Sequence, residues 1–586
     1  MNASLPPRRD PIPSTISAPI NPIMGGVILA VVLCFKLMAV RSFRVDSDET
    51  QHAHVVWGWV TGRLQYRDMF DNHMPLFHIL CAPYFALFGQ YSNILLPLRL
   101  AMLPFYGFCL YCVFRLGTIL FSKRTGCWAC LCASLIPAFF FPSTEFRPDD
   151  MWAATWLLTL VVAVSGEFTL KRAFMTGFLL GLTTVVSTKT VFLGAALAVA
   201  ALCALGLQTF VGSQRLPARQ FLLSMLVIAA GGILFPGAIA LYFLARGAFP
   251  NFLYCVFLHN MVPGLKRWGD ISQLVWAFPL TLPLIVAYGV YVFRQAPTVS
   301  LATRRVLVLT VPYLYALLMY SYCPDLSRQD NLPYLPLVPL SLVPLAISLS
   351  RYCPQPRLRL AFFRYLLPAI ILAEIFWTWS AYDLRDRGLR RVAREINTIF
   401  SLTSKSDYVM DDKGDYIFRD RPFYWILEPV TRARIRQGSV IDNIPDCLIK
   451  TQTKVSYLYP TFPGTDSAKF IAANYLPFDP RHLDIGVAGK VIGNPAPREI
   501  TSFAVAIPAS YAVASEVGET AGKLDGVDYH NPVRLEAGLH HFERTMGSGR
   551  LAIIFDKAFA IRFRPLYDQS AQLIKLMSKP DKQRAL

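Results

Sequence analysis

Charge is scarce in this 586-residue chain: Asp, Glu, Lys and Arg together make up 16% of it, against roughly a quarter in an average soluble domain. That scarcity, with a hydrophobic content of 54%, excludes an ordinary globular surface and excludes disorder. Cysteine pairs are missing where a secreted scaffold would need them, since 11 of the 12 cysteines lie before residue 381 and only Cys447 falls in the polar C-terminal part. No disulfide framework is available there. Cys127, Cys130 and Cys132 have no second pair to complete a zinc site and read as small apolar helix residues. A Walker loop, a dinucleotide fingerprint, a nucleophile elbow and an internal repeat are also absent, which argues against nucleotide-fuelled transport.

What the chain has in quantity is long apolar runs. Residues 23–40 and 221–244 contain at most one charged group each, and about 20 such residues is the length of a helix that crosses a bilayer. Read this way, spans fall at 21–40, 97–121, 126–142, 151–166, 173–187, 190–207, 220–245, 272–293, 306–322, 331–350 and 361–380. The expected fold class is an α-helical polytopic membrane protein of about 11 transmembrane helices with an extracytoplasmic C-terminal domain. The run 75–89 is too short for a straight span and reads as an interfacial or re-entrant helix.

The formal charge of +19 would suggest nucleic acid in a soluble protein. Its placement points elsewhere. With the N-terminus inside, the loops on that side carry 15 basic residues, Arg8 to Arg364, against the two acids Asp10 and Glu167. Basic short loops stay in the cytoplasm. The sequence therefore predicts a cytoplasmic tail at 1–20, a transmembrane domain at 21–380 with an acidic external loop at 41–96, and a C-terminal part outside a bacterial inner membrane. The first run reads as a retained signal anchor. From residue 381 apolar runs shorten, predicting an α/β domain at 381–500 and a β-rich terminal module at 501–586 with a turn at Leu524, Asp525 and Gly526.

Ionisable groups at a membrane face are costly unless paired or working. The loop after the first span holds Asp46, Asp48 and Glu49, then Tyr66, Arg67 and Asp68, then Asp71, Asn72, His73, Met74, Pro75 and Leu76. A solvated acidic loop balanced by Arg41, Arg44, Arg63 and Arg67 is the plain reading. This arrangement nevertheless resembles the first external loop of the GT-C glycosyltransferases that use polyprenyl-phosphate sugars, among them the protein O-mannosyltransferases and the lipid A aminoarabinose transferases. The resemblance covers about residues 20–380. It departs at Met74-Pro75-Leu76, where the aminoarabinose transferases usually show Lys-Pro-Pro-Leu. The Trp-Trp-Asp motif of the oligosaccharyl-transferring branch is absent.

The resemblance implies inverting transfer of one sugar, hexosyl or pentosyl, from a lipid monophosphate to an envelope glycan, lipid or protein on the outer side. Asp48 is expected to take the acceptor proton, with Glu49 second to it or holding the local helix. Asp149, in Arg147-Pro148-Asp149-Asp150, is the expected second carboxylate; Asp150 joins it as a substrate contact, and an N-cap role for this pair is equally open. His73 is expected to position sugar or acceptor. Lys189 faces the donor phosphate or snorkels, and Arg328 is the expected guanidinium for that phosphate. His259 and Tyr334 complete the expected substrate contacts, His259 competing with an interfacial aromatic belt. No cofactor is required by this chemistry. The acids and His73 offer ligands to a divalent cation, but no tight His/Asp/Glu triad is present, and a monophosphate donor does not call for a metal as a pyrophosphate donor often does. The expected partners are the membrane, a polyprenyl-phosphate-linked sugar and the acceptor. The alternatives are a pyrophosphate-donor polymerase or ligase and a non-enzymatic lipid or glycan transporter.

Overall fold

The computed structural model describes residues 22–211, 218–262, 278–323, 326–350, 355, 367–381, 387–458, 465–479, 482–561, 563 and 565–566. The N-terminal tail, and Lys266 to Trp268 beyond His259, lie outside the described residues. Twelve helices lead from the first span to the middle of the bundle: α1 (Pro22–Ser42), α2 (Ser47–Val60), α3 (Leu76–Ala86), α4 (Leu95–Leu100), α5 (Leu103–Leu120), α6 (Lys123–Leu135), α7 (Pro137–Phe140), α8 (Pro148–Val164), α9 (Leu170–Thr184), α10 (Thr190–Phe210), α11 (Ala218–Gly232) and α12 (Leu234–Ala245). Among the described residues, five helices are long and apolar enough to cross a membrane: Gly25–Ser42, Leu95–Leu120, Thr190–Phe210, Arg219–Ala245 and Val299–Tyr322. A sixth crossing is made if Lys123–Leu135 and Pro137–Thr144, bent by 73°, form one broken span. The helices α8 and α9, at 17 and 15 residues, occupy runs that the sequence reads as spans but fall short of that length. At 11 residues α3 is about 16 Å long, half a bilayer, consistent with a helix at the interface.

Proline breaks the helix at the bend, and the backbone groups it frees need partners. Lys36, wholly buried in α1, donates to the Phe140 carbonyl and to Ser143 Oγ (2.6 Å), with its ammonium 4.2 Å from the Tyr106 ring centre. A lysine inside the first apolar run is thus tied to the irregular backbone of the bend. Elsewhere the bundle closes on small residues. A Cβ added to Gly177 would lie 2.0 Å from the Ile228 carbonyl oxygen, and one added to Gly181 would lie 2.3 Å from that of Gly232. Small residues four apart on α9 let its backbone meet that of α11 directly.

Beyond the bundle, the helix Gly388–Leu402 joins two cores: Leu389, Val392 and Ile396 pack with the bundle, Ile399 and Leu402 with the sheet. Among the described residues the sheet has nine strands: β1 (Val409–Met410), β2 (Val455–Tyr457), β3 (Tyr475–Asp479), β4 (His482–Gly493), β5 (Ile500–Val505), β6 (Ala509–Leu524), β7 (Val527–Asp528), β8 (Val533–Leu535) and β9 (Gly538–Phe555). Its main path runs β1-β2-β4-β9-β6-β7, with β3 on β4, β5 on β9 and β8 on β6. Among the described residues β1 and β2 are parallel and the other pairs antiparallel. Because β4 pairs with β2 through residues 485–487 and with β9 through residues 489–493, the sheet is continuous through residue 500. Asp525 and Gly526, both at positive φ (50° and 84°), make the two-residue turn that pairs Leu524 with Val527.

Candidate active site

The end of α1, the starts of α8 and α10, and the turn that follows Val299–Tyr322 meet at one end of the bundle. The helix α2 starts there in a capping box, with the Asp46 side chain over the first-turn amides and Glu49 returning to the Asp46 amide at 3.1 Å. This cap fixes Asp48 in the first turn. One Asp48 oxygen accepts from Arg147 Nη1 at 2.6 Å and the other from Lys413 Nζ at 2.6 Å. Arg147, at the N-cap position of α8, also reaches Asp149 through Nε (3.1 Å) and Asp46 through Nη1 (3.4 Å). The two acids expected to share a site therefore meet on one guanidinium.

Lys189, just before α10, pairs with Asp330 at 2.6 Å. Asp330 in turn caps the single turn Arg328–Asn331 through the Ser327 amide (2.7 Å), and Tyr315 OH holds its carbonyl (3.0 Å). Gln329 donates to the buried Glu145, which ties this turn to the segment before α8. Burial opposes the charge on Lys189, but Asp330 outweighs it and raises the pKa, with Asp149 adding to the effect. Arg328 is exposed, and its guanidinium has no partner among the described residues. Tyr334 is half-buried and shares the Asn331 side chain with Tyr320, at 3.0 and 2.9 Å.

Lys413 comes from the loop after β1. Asp411 shapes that loop by accepting from the Gly414 amide (2.8 Å), the Tyr416 amide (3.1 Å) and Arg421 Nε (2.8 Å). Gly414, at φ +97°, rests on His54 of α2 so closely that a Cβ would lie 2.5 Å from the ring. Thr50 Oγ1 donates to Asp415 at 2.9 Å. Burial would raise the Asp48 carboxyl, but Lys413 and Arg147 hold it well below the usual carboxylate range. Burial would lower Lys413, but the Asp48 and Glu428 carboxylates outweigh it and raise it to about 12. Asp415 is pushed up to about 8, by burial first and then by Asp411 and Asp412.

Beside this cluster lies a hydrogen-bonded group built on Asp71. Its wholly buried carboxylate accepts from Gln51 (3.1 Å) and Gln65 (2.7 Å), and His73 Nδ1 sits 2.9 Å from it. His52, one helical turn past Asp48, makes a 2.9 Å contact through Nδ1 with His78 Nε2 and lies with its ring centre 4.6 Å from that of His73. Burial, then the His73 and His78 imidazoles, hold His52 well below the usual histidine range.

Three residues expected in the site are placed elsewhere. Glu49 is wholly buried; its oxygens take Arg99 Nε (2.7 Å), Arg99 Nη2 (2.5 Å) and the Phe146 amide (3.0 Å), while Arg99 also holds the Val40, Phe43 and Arg44 carbonyls. Glu49 tethers α2 to the end of α1 and has no oxygen left for a substrate. Asp150 is buried, and neither of its carboxyl oxygens has a hydrogen-bond partner among the described residues. His259 is wholly buried under Trp425 (ring centres 5.5 Å, planes 15°), with Thr431 3.2 Å and Glu428 3.4 Å from Nε2, so it anchors the C-terminal part to the bundle. Among the described residues no group of three or more His, Cys, Asp or Glu is placed to hold a metal ion. Sequence reasoning gave Arg147 no role although it stands two residues before Asp149, and gave Lys413 none because 365 residues separate it from Asp48.

No protein-family profile matches the sequence, and no curated protein matches it. Solved structures do. The crystal structure of ArnT from Cupriavidus metallidurans bound to undecaprenyl phosphate aligns with a TM-score of 0.53 at 11% identity, over 79% of this chain and 97% of that one. The apo form of the same protein gives 0.50 at 13% identity over the same shares. The apo oligosaccharyltransferase of Archaeoglobus fulgidus is a more distant likeness, 0.42 at 11% identity over 73% of this chain and 69% of that one. At these identities the likeness to ArnT is one of fold: a GT-C type membrane bundle followed by a C-terminal sheet-bearing part.

Proposed function

We propose that this chain is an inverting membrane glycosyltransferase that moves a single sugar from a polyprenyl-phosphate donor to an envelope glycan, lipid or protein. The observation that carries the reading is the gathering of Arg147, Lys189 and Lys413, from three distant segments, around Asp48, Asp149 and Asp330 at one end of an apolar bundle. The starts of α2, α8 and α10 meet there too, and helix N-termini favour anions. The fold is shared with a protein solved with undecaprenyl phosphate bound, which suits a lipid phosphate as the anion.

In such a transfer an acceptor oxygen attacks the anomeric carbon from the face opposite the phosphate. The carbon–oxygen bond to phosphate breaks, and its electron pair leaves with the phosphate. The charge growing there needs fixed positive groups more than it needs a proton. Lys189 and the exposed guanidinium of Arg328 supply them, while Asp149 and Asp48 hold Arg147 in place between the loops. In this reading the site faces the extracytoplasmic side of a bacterial inner membrane, with the N-terminus in the cytoplasm, which the basic loops support.

Purified protein given undecaprenyl-monophosphate sugars and undecaprenyl-pyrophosphate sugars, with an envelope extract as acceptor pool, tests the reading. Release of undecaprenyl monophosphate from the first set alone is expected. Turnover of the second set alone would make it a pyrophosphate-donor ligase, and turnover of neither would favour a transporter.

A further inference from the structure

The transfer proposed above needs a group to take the acceptor proton, and both oxygens of Asp48 are already engaged by cations. A carboxylate gripped by two bases is a poor proton acceptor. Another group beside it has the geometry for the task. His73 Nδ1 donates to Asp71 Oδ1 at 2.9 Å, and Asp71 is itself fixed by Gln51 and Gln65 with no exposed surface. The backbone is pinned as well: Tyr66, wholly buried and held at φ +73°, donates its hydroxyl to the His73 carbonyl at 2.6 Å. With Nδ1 donating, Nε2 carries the free lone pair. That nitrogen has no partner among the described residues, and the His73 side chain is 30% exposed, whereas His52 and His78 are wholly buried. The ring of His52, one turn along α2 from Asp48, lies against His73 and sets it beside the charged cluster.

We propose that His73, oriented by Asp71, is the base that takes the proton of the acceptor hydroxyl, the proposal resting on the glycosyl-transfer reading. The hydroxyl proton passes to His73 Nε2 as the acceptor oxygen bonds to the anomeric carbon, and the bond from that carbon to the phosphate oxygen breaks with its electrons going to phosphate. The imidazolium so formed is stabilised by Asp71, as in other base-plus-orienting-carboxylate pairs, and returns its proton to water through the exposed edge.

The groups facing His73 are Asp71 in its own loop, Asp48 and His52 on α2, His78 on α3 and Glu428 from the C-terminal part. Burial lowers its proton affinity, but Asp71 first and then Asp48 and Glu428 raise it above the ordinary histidine value. Turnover is therefore lost as pH falls through that raised value. Removing the Asp71 charge moves the loss to lower pH.

The test uses the full-length protein, undecaprenyl-phosphate-linked hexoses and pentoses, and an envelope extract as acceptor pool. His73→Gln and His73→Asn are expected to cut kcat by about a hundredfold or more while binding undecaprenyl phosphate within twofold of wild type. Asp71→Asn is expected to lower kcat and shift the acid limb downward. Independently of turnover, carbethoxylation of the His73 peptide followed by mass spectrometry should titrate above the ordinary histidine value in wild type and lower in Asp71→Asn. Wild-type kcat in both His73 variants, or an acid limb in the carboxylate range that Asp71→Asn leaves in place, overturns the base role and leaves the transferase reading standing. No turnover of any donor by wild type overturns that reading and removes the reaction that needs the base.

Discussion

Arg147 holds three carboxylates, Asp46, Asp48 and Asp149, with 8% of its side chain exposed. A lysine offers a compact charge in place of a planar fork, so Arg147→Lys is expected to lower turnover of an undecaprenyl-phosphate sugar by at least tenfold. Arg147→Ala leaves three half-buried acids with one cation fewer and should lower stability, read by denaturant unfolding. Asp48 and Asp149 were legible in the sequence because acids at the ends of apolar runs stand out. Glu49 takes the helix-holding place of its two expected ones for a geometric reason: neighbours on a helix point about 100° apart, so Asp48 facing the cluster turns Glu49 into the core. Glu49→Gln is accordingly expected to lower the melting temperature while the folded protein keeps its affinity for undecaprenyl phosphate. The raised Asp415 gives a pH dependence of known sign. Its folded form holds a proton between about 4 and 8 that the unfolded chain has released, so stability falls as pH rises through that window. Asp415→Asn should flatten that slope in unfolding experiments run from pH 4 to 9.

At the level of elements, the apolar runs announced the long helices because a bilayer demands length and apolarity together. Close helix contacts were not legible, since a glycine in an apolar run reads the same whether it faces lipid or another backbone. Gly181 faces a backbone, and Gly181→Leu is expected to part α9 from α11 at a cost of about 1–3 kcal/mol or more, seen as a lowered melting temperature in detergent. In the sheet, Asp525-Gly526 signalled its hairpin, but the lengths of β6 and β9 were hidden. Their middle stretches, around Glu516 to Thr520 and Thr545 to Gly549, are polar and exposed, and they remain paired through register shifts at Ser515/Val517 and Val517/Ala521. A ladder of backbone hydrogen bonds leaves no mark in the side-chain pattern.

Across the whole molecule, the charged cluster joins segments from the start of α2 to the sheet-bearing part, and Lys413 is the last of them in chain order. Asp48 is synthesised 365 residues before its partner Lys413. During biosynthesis Asp48 is therefore answered first by Arg147, and its second cation arrives only when the trailing part has been made and docked. A chain stalled before that moment carries the charged cluster without its last cation.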